Sequence, residues 1–252
     1  MKPRPAGTGR LAEMAARSER PISRLGGGFM GDPSLLAAGA NLGYESNDFY
    51  YAGRVGVMGE VSSPVAIAAL VFFAPTRVEL AWERSTGLQH RREAALLYTT
   101  CASEWAEQNF VADIDWQRIA DEADRVIEAI SYAGAPLYAG WMSMPDGETP
   151  NTRAQHRLNG LREYRMAVHG AAISVVGVSV GDAVRHAAPQ HVGLFGWSPD
   201  FDDDPETVAT RWQEAERITD RMMGAALSVL GDDLDDFVER CELAEAAVFR
   251  RP

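Results

Sequence analysis

The chain has 252 residues, of which 46% are hydrophobic and 24% are charged, so its composition excludes a wholly disordered protein and allows a substantial buried core. The net charge is −12, and residues 200–239 contain thirteen Asp or Glu against three Arg, which argues against nucleic acid as a partner. The two cysteines form no zinc-ligand spacing, and no apolar run is long enough to span a bilayer. We therefore expect a cytoplasmic protein that makes no membrane contact.

The N-terminal residues 1–31 are rich in Pro, Gly and Arg, and this composition predicts a mobile tail with one short helix over 10–18. The glycines at 26–32 neither follow a strand nor precede the Lys-Ser/Thr of a phosphate-binding loop. We expect residues 32–252 to form a single helical domain, with a possible sub-boundary in the turn-rich loop near 145–150.

The first half of this domain shows helix signals in sequence. Asp32 and Pro33 provide a cap and a first-turn proline, and another helix starts at Asn47 or Asp48. Residues 62–64, Ser-Ser-Pro, begin an apolar helix that Pro75 interrupts. Helical periodicity over 88–109 and again over 115–132 predicts an antiparallel helix pair.

The longest helical pattern runs from about residue 151 to 178. Its apolar residues recur at spacings of three or four, and its other side carries small residues such as Gly160 and Gly170, so we expect neighbours on two sides. Asn151 or Thr152 can cap its start, and Gly177 can end it. Later caps predict two further helices, and no segment shows strand alternation. The sequence therefore predicts an all-α bundle around this central helix.

The central helix also carries the most informative polar residues. Arg162, Arg165 and His169 fall on one flank of its apolar stripe, while His156 and Glu163 share the small-residue side. The candidate ligand-binding residues are Tyr50, Tyr51, Arg54, Arg162, Arg165 and His169. A guanidinium can hold two oxygens at once, so these arginines suit a small organic, anionic ligand. Solvated side chains and internal ion pairs are the alternatives.

An enzymatic alternative uses the same residues. His169 or His156 would act as general acid or base, and Glu163 would orient the histidine or bind a metal. His156 and Glu163 are about two turns apart, too far to hold one ion by themselves, so we assign no metal ligands. The sequence names no cofactor, and whether a reaction is catalysed stays open. A structural role as a homodimer is a further alternative.

Three segments resemble a known family. They are residues 47–78 with FYYAGR, residues 158–173 with the pattern LREYR, and the later FGW and ERITD. They are similar to a largely helical actinobacterial family that carries a helix-turn-helix name and is encoded near natural-product genes. The resemblance covers most of residues 41–245. It implies an α-helical body, a relation to winged-helix DNA-binding regulators and a link to specialised metabolism.

The chain departs from that family in two places. Met166 and Ala167 stand where relatives have a glycine and an acid. Residues 198–218 have room for a loop and one helix but not for a recognition helix and a wing, and they are acidic, so the winged-helix part is predicted to be truncated. Our leading hypothesis is therefore a small-molecule-binding protein with a pocket between the central helix and residues 49–73; DNA binding is the disfavoured alternative.

Overall fold

The computed structural model describes residues 9–111 and 113–249, and in this part of the chain it contains only helices and their connections. The α-helices are α1 (Arg10–Gly27), α2 (Pro33–Asn41), α3 (Asp48–Gly56), α4 (Ser63–Ala69), α5 (Pro75–Arg84), α6 (Arg91–Asn109), α7 (Trp116–Ala129), α8 (Pro136–Met142), α9 (Pro150–Val176), α10 (Val180–Ala187), α11 (Pro205–Leu227) and α12 (Leu234–Phe249). Short 3-10 helices cover Gly28–Gly31, Pro189–His191 and Ser228–Asp233. The all-α prediction is confirmed.

Helix α9 is the central helix, as predicted. Its N-cap is Thr149, rather than Asn151 or Thr152 as predicted, because Pro150 can occupy the first helical turn and the Thr149 and Thr152 hydroxyls form a reciprocal capping box. Gly177 ends it in the left-handed conformation, with φ 70°. Helices α1, α6, α7, α8 and α11 all pack against it. The large core includes residues on both sides of the loop at 145–150.

Helix α1 corrects the expectation of a mobile tail for residues 10–31. Met14, Ile22 and Leu25 lie on one side of this helix and are buried, and α1 packs against α9, α11 and α12. Pairing of Arg17 with Glu242 on α12, at 2.8 Å between Nη2 and Oε2, adds a polar contact. Residues 1–8 of the predicted tail lie outside the described residues.

Helices α6 and α7 also differ from the prediction. Instead of forming an antiparallel pair with each other, both pack against α9, and α6 packs closely against α3. Helices α3 and α6 can approach closely because Gly53 of α3 has no side chain. A Cβ at Gly53 would lie 2.5 Å from the Cβ of Tyr98 on α6. This close approach brings α3 to the side of α9 where the candidate site lies.

None of the described helices is by itself both long enough and apolar enough to cross a bilayer. Among these helices, only the pair of α9 and α10, bent by 112°, has the required length and apolarity jointly.

Candidate functional site

A cavity of about 330 Å³, here called cavity 1, lies beside α9 at the position where the sequence predicts a pocket. Helices α1, α3, α10 and α11 and the α4–α5 connection at 70–73 complete its walls. Its lining is mainly apolar and aromatic. The polar lining residues are Glu19, Ser23, Tyr50, Arg54, Arg162, Arg165, His169 and Glu216. An apolar cavity with a few convergent polar groups is typical of small-molecule sites.

The best-defined polar group in this region is built around Glu163 of α9. Its carboxylate accepts two bonds from Arg54, from Nε at 2.9 Å and from Nη2 at 2.8 Å, and a third from Nη1 of Arg162 at 2.7 Å. Arg54 also donates through Nη1 to the Tyr50 hydroxyl. The Arg54 and Glu163 side chains are only 4% and 2% exposed, whereas that of Arg162 is 15% exposed.

The electrostatics of this group favour its charged form. Burial alone would raise the pKa of the Glu163 carboxyl, but the Arg54 and Arg162 guanidinium groups outweigh burial and lower that pKa. Burial would likewise lower the pKa of Arg54, yet the Glu163 carboxylate raises it above its ordinary value. Two guanidinium groups thus share one carboxylate. The group carries one net positive charge next to a largely apolar cavity.

The donor count distinguishes the two arginines. Arg54 directs three of its nitrogens at Glu163 and Tyr50. Arg162 forms its single hydrogen bond with Glu163, and within the described residues its other N–H groups have no acceptor. The Tyr50 hydroxyl accepts from Arg54 and forms no further bond with described residues, so its own hydrogen can be donated.

Further along α9, Arg165 and His169 face α11. Arg165 Nη2 lies 3.3 Å from Asp220 Oδ1 and 3.4 Å from Glu216 Oε2, which supplies the carboxylate partners expected for a buried guanidinium. His169 Nδ1 lies 2.9 Å from the Thr219 hydroxyl. The His169 ring stacks on Phe72 and meets the edge of Trp212, with centroids 5.7 and 4.7 Å away.

His156 and Tyr51 do not line cavity 1. The His156 ring stacks on Trp141 at 5.1 Å, and burial, followed by the neighbouring Arg157 guanidinium, lowers its pKa to about 4. Tyr51 is fully buried, and its hydroxyl accepts a 3.3 Å bond from Arg77. Two of the candidate site residues, His156 and Tyr51, therefore lie away from the cavity that the other candidates border. Among the described residues, no group of three or more His, Cys, Asp or Glu has the geometry to hold a metal ion.

Two more cavities adjoin this region. Cavity 2, of about 560 Å³, is bounded by the end of α1, the 3-10 helix at Gly28–Gly31 and α2, and it shares five lining residues with cavity 1. The shared residues are Ser23, Tyr50, Phe73, Arg162 and Phe195. Cavity 3, of about 400 Å³, lies on the other side of Glu163, against the α4 and α8 ends of the core. Arg162 thus stands at the junction of cavities 1 and 2.

Several cavity residues were not predicted from the sequence. Trp212, Glu216 and the inner side of α10 come from segments far from the two motifs that drew attention. The only available signal was the FGW segment, whose Phe195 separates cavities 1 and 2 and packs on Phe73 with ring centroids 4.5 Å apart. Its position could not be inferred because Phe73, on which it packs, is more than a hundred residues away in the chain.

Helices α9 and α10 form a helix-turn-helix unit. They are connected by the three residues 177–179, with Gly177 in the left-handed conformation, and the chain bends by 112° between them. These are the turn length and angle of such motifs. Helix α10 is turned inward, however: Gly181 to Arg185 are all buried, and Ala183 and Val184 line cavity 1.

Fold and site together define an all-α protein in which the central helix α9, with α10 as the second helix of a helix-turn-helix unit, forms part of the wall of a mainly apolar cavity. The chain belongs to the Helix-turn-helix family, whose model matches residues 15–201, and this confirms the predicted resemblance to a family with a helix-turn-helix name. Searches of curated proteins and of solved structures each found no significant match.

Proposed function

We propose that the protein binds a small organic anion in cavity 1, with Arg162 and Tyr50 as anchors and with Arg165 and His169 contributing further along α9. The observation that carries this proposal is the unused hydrogen-bonding capacity of Arg162 in a group with one net positive charge. A guanidinium removed from bulk water requires an anionic partner, and here one carboxylate serves two guanidinium groups.

The rest of cavity 1 suits the apolar part of such a ligand. Leu70, Phe72, Phe73 and Trp212 supply flat or branched surfaces, so burial of a ring system would provide most of the binding free energy. The polar groups would orient it. Arg54 has a supporting role, because its bonds to Glu163 and Tyr50 hold both groups in place.

A matched pair of fluorescent probes tests this proposal. The anionic probe 8-anilinonaphthalene-1-sulfonate has a neutral counterpart of similar shape, N-phenyl-1-naphthylamine. We expect the anionic probe to bind at one site per chain and Arg162→Gln to weaken it about tenfold or more, the loss expected for a charged hydrogen bond. The neutral probe should change less than about twofold. Arg221→Gln, which removes an exposed arginine of α11, is the control.

The proposal fails if the anionic probe does not bind, or if Arg162→Gln weakens both probes equally. Arg165→Ala provides a second variant. We expect it to weaken the anionic probe while circular dichroism and the unfolding midpoint stay close to those of the parent protein. Loss of the fold instead would assign Arg165 a purely structural role.

DNA binding is a second candidate because of the family name and the α9–α10 geometry. It is disfavoured by the position of α10: Arg185, its most suitable phosphate contact, is buried and held by Asp182 at 2.8 Å and Asp202 at 2.9 Å. A recognition helix needs exposed polar side chains. Gel-shift measurements on random duplex DNA at low salt address this candidate, and salt-dependent binding would restore it.

A further inference from the structure

Cavities 1 and 2 differ in the charges that line them. Cavity 1 has three arginines and two glutamates in its lining. Cavity 2 has Arg24 and Arg162 and, among the described residues, no Asp or Glu in its lining. The larger cavity is therefore the more positive of the two, although the shared residues make them neighbours. The most favourable place for an anionic group is on the cavity 2 side of Arg162.

The charges just behind cavity 2 reinforce this difference. Arg24 donates to Glu245 of α12 and places its guanidinium 3.9 Å from the centre of the Phe249 ring. Arg20 contacts the same carboxylate at 3.1 Å. One carboxylate again serves two guanidinium groups, which leaves a second net positive charge at the wall of cavity 2.

The glycine run at the end of α1, which resembles no phosphate-binding loop, gives Arg162 its space. A Cβ at Gly27 would lie 2.7 Å from Arg162 Nε, so only glycine leaves the arginine undisturbed in its observed position. At Gly31, another lining residue of cavity 2, a Cβ would meet no atom within 4 Å. The run thus opens cavity 2 toward Arg162.

We propose that cavities 1 and 2 form one bipartite site for an anionic amphiphile. This inference rests on the proposed function and extends it. The ring-bearing apolar body lies in cavity 1, passes Phe195 and Tyr50, and places a carboxylate, sulfonate or phosphate group in cavity 2 between Arg162 and Arg24. The ligand is longer than either cavity alone accommodates. Because it passes Phe195, the part of the ligand that joins its apolar body to its anionic group must be narrow.

The covalent dimer of the anionic probe, bis-8-anilinonaphthalene-1-sulfonate, tests this site because it has two ring systems and two sulfonates. We expect one molecule per chain, bound about tenfold tighter than the monomeric probe at about 0.15 M salt, where distant charges are screened. Arg24→Gln should weaken the dimeric probe about fivefold and the monomeric probe less than twofold, because the monomer already has its sulfonate on Arg162. Arg20 still pairs with Glu245 in that variant.

A second variant addresses the mouth of cavity 2 without touching buried groups. Leu36 lines this cavity and is 52% exposed, so Leu36→Glu adds a repelling charge there with little risk to the fold. Leu80→Glu is the matched control, since Leu80 is 49% exposed and lines none of the three cavities. Only Leu36→Glu should weaken the dimeric probe, by about fivefold or more.

The outcomes separate the two proposals. If the monomeric probe binds and depends on Arg162, but the dimeric probe is no tighter or ignores Arg24→Gln and Leu36→Glu, the bipartite site is wrong and the proposed function stands. If the monomeric probe does not bind at all, both proposals fall.

Discussion

The two sides of α9 use the same residue types for different purposes. On its closed side, defined here by His156 and the Arg54–Glu163 pair, side chains are almost fully buried, and Arg54 and Glu163 bond mainly to each other although Arg54 also reaches the wall of cavity 1. On its open side, defined by Arg162, Arg165 and His169, side chains border cavity 1. Arg54 and Arg162 contact the same carboxylate, but Arg54 uses three of its five N–H donors within the protein, whereas Arg162 uses one and keeps four for a further partner.

This comparison shows that burial and charge do not by themselves identify a binding residue. Arg54 is the more buried arginine and forms two hydrogen bonds with Glu163, but three of its five N–H donors are used within the protein. Arg162 differs because most of its N–H donors are unused and it borders cavity 1. The difference should appear as stability loss on the closed side and binding loss on the open side.

The largest contrast is expected between Arg54→Gln and Arg162→Gln. Removing Arg54 leaves Glu163 buried with one guanidinium instead of two and takes away its bidentate partner, so we expect the free energy of unfolding to fall by about 3–5 kcal/mol. Removing Arg162 leaves the Arg54 bidentate pair intact and should cost less than about 1 kcal/mol. Urea denaturation at pH 7 measures both. Equal losses in the two variants would contradict the division of α9 into closed and open sides.

The next effect is a pH dependence that belongs to the closed side. Burial lowers the pKa of His156 from 6.5 to about 4, so the native ring stays neutral while the unfolded chain takes up a proton near pH 6.5. This contribution to stability is complete above pH 6.5 and is lost as the pH falls toward 4, by about 3 kcal/mol in total. Urea unfolding at pH 7.0 and 4.5 should show His156→Gln losing about 2–3 kcal/mol less than the parent over this interval. A parallel loss in both proteins would place the titration elsewhere.

A third pair of variants compares Gly26, which packs against the backbone of α9, with Gly31, which lines cavity 2. A Cβ at Gly26 would lie 2.6 Å from the backbone nitrogen of Asn159, so Gly26→Ala forces α1 away from α9 and should cost about 1–3 kcal/mol. Gly31→Ala meets no atom within 4 Å and should change stability by less than about 0.5 kcal/mol. Thermal unfolding of both variants measures the difference. A destabilised Gly31→Ala would mean that cavity 2 is smaller than described.

Local chemistry made much of this fold predictable. Caps and breakers such as Asp32 with Pro33 and Gly177 act within one helical turn, so these helix ends could be located from the sequence alone. The periodicity of α9 likewise revealed a helix covered on two sides. Both motifs of the candidate site, around Arg54 and around Arg162, were found for the same reason: their residue types stand out locally.

Long-range packing explains what could not be predicted. The composition of α1 is typical of a mobile tail. Its apolar residues become buried only because α11 and α12, some two hundred residues later in the chain, pack against them. His156 and Glu163 share one side of α9 by helical spacing, but one meets Trp141 and the other Arg54, because different helices cover the two turns. The number of Arg162 donors that stay unused depends on which acceptors the folded chain places beside it, and this cannot be known before all neighbouring helices are positioned.

The smallest effect is expected for Gly27, the α1 residue that faces Arg162. An ideal Cβ at Gly27 would lie 2.7 Å from Arg162 Nε, and this atom belongs to a long, flexible side chain. Gly27→Ala should therefore be accommodated by a shift of Arg162, with little loss of stability and an approximately threefold weaker affinity for 8-anilinonaphthalene-1-sulfonate. Combined with Arg162→Gln, the same substitution should have no further effect on this affinity, because the displaced group is already gone. Additive losses in the double variant would mean that Gly27 acts on the ligand directly, which would move the contact surface from Arg162 to the backbone at the end of α1.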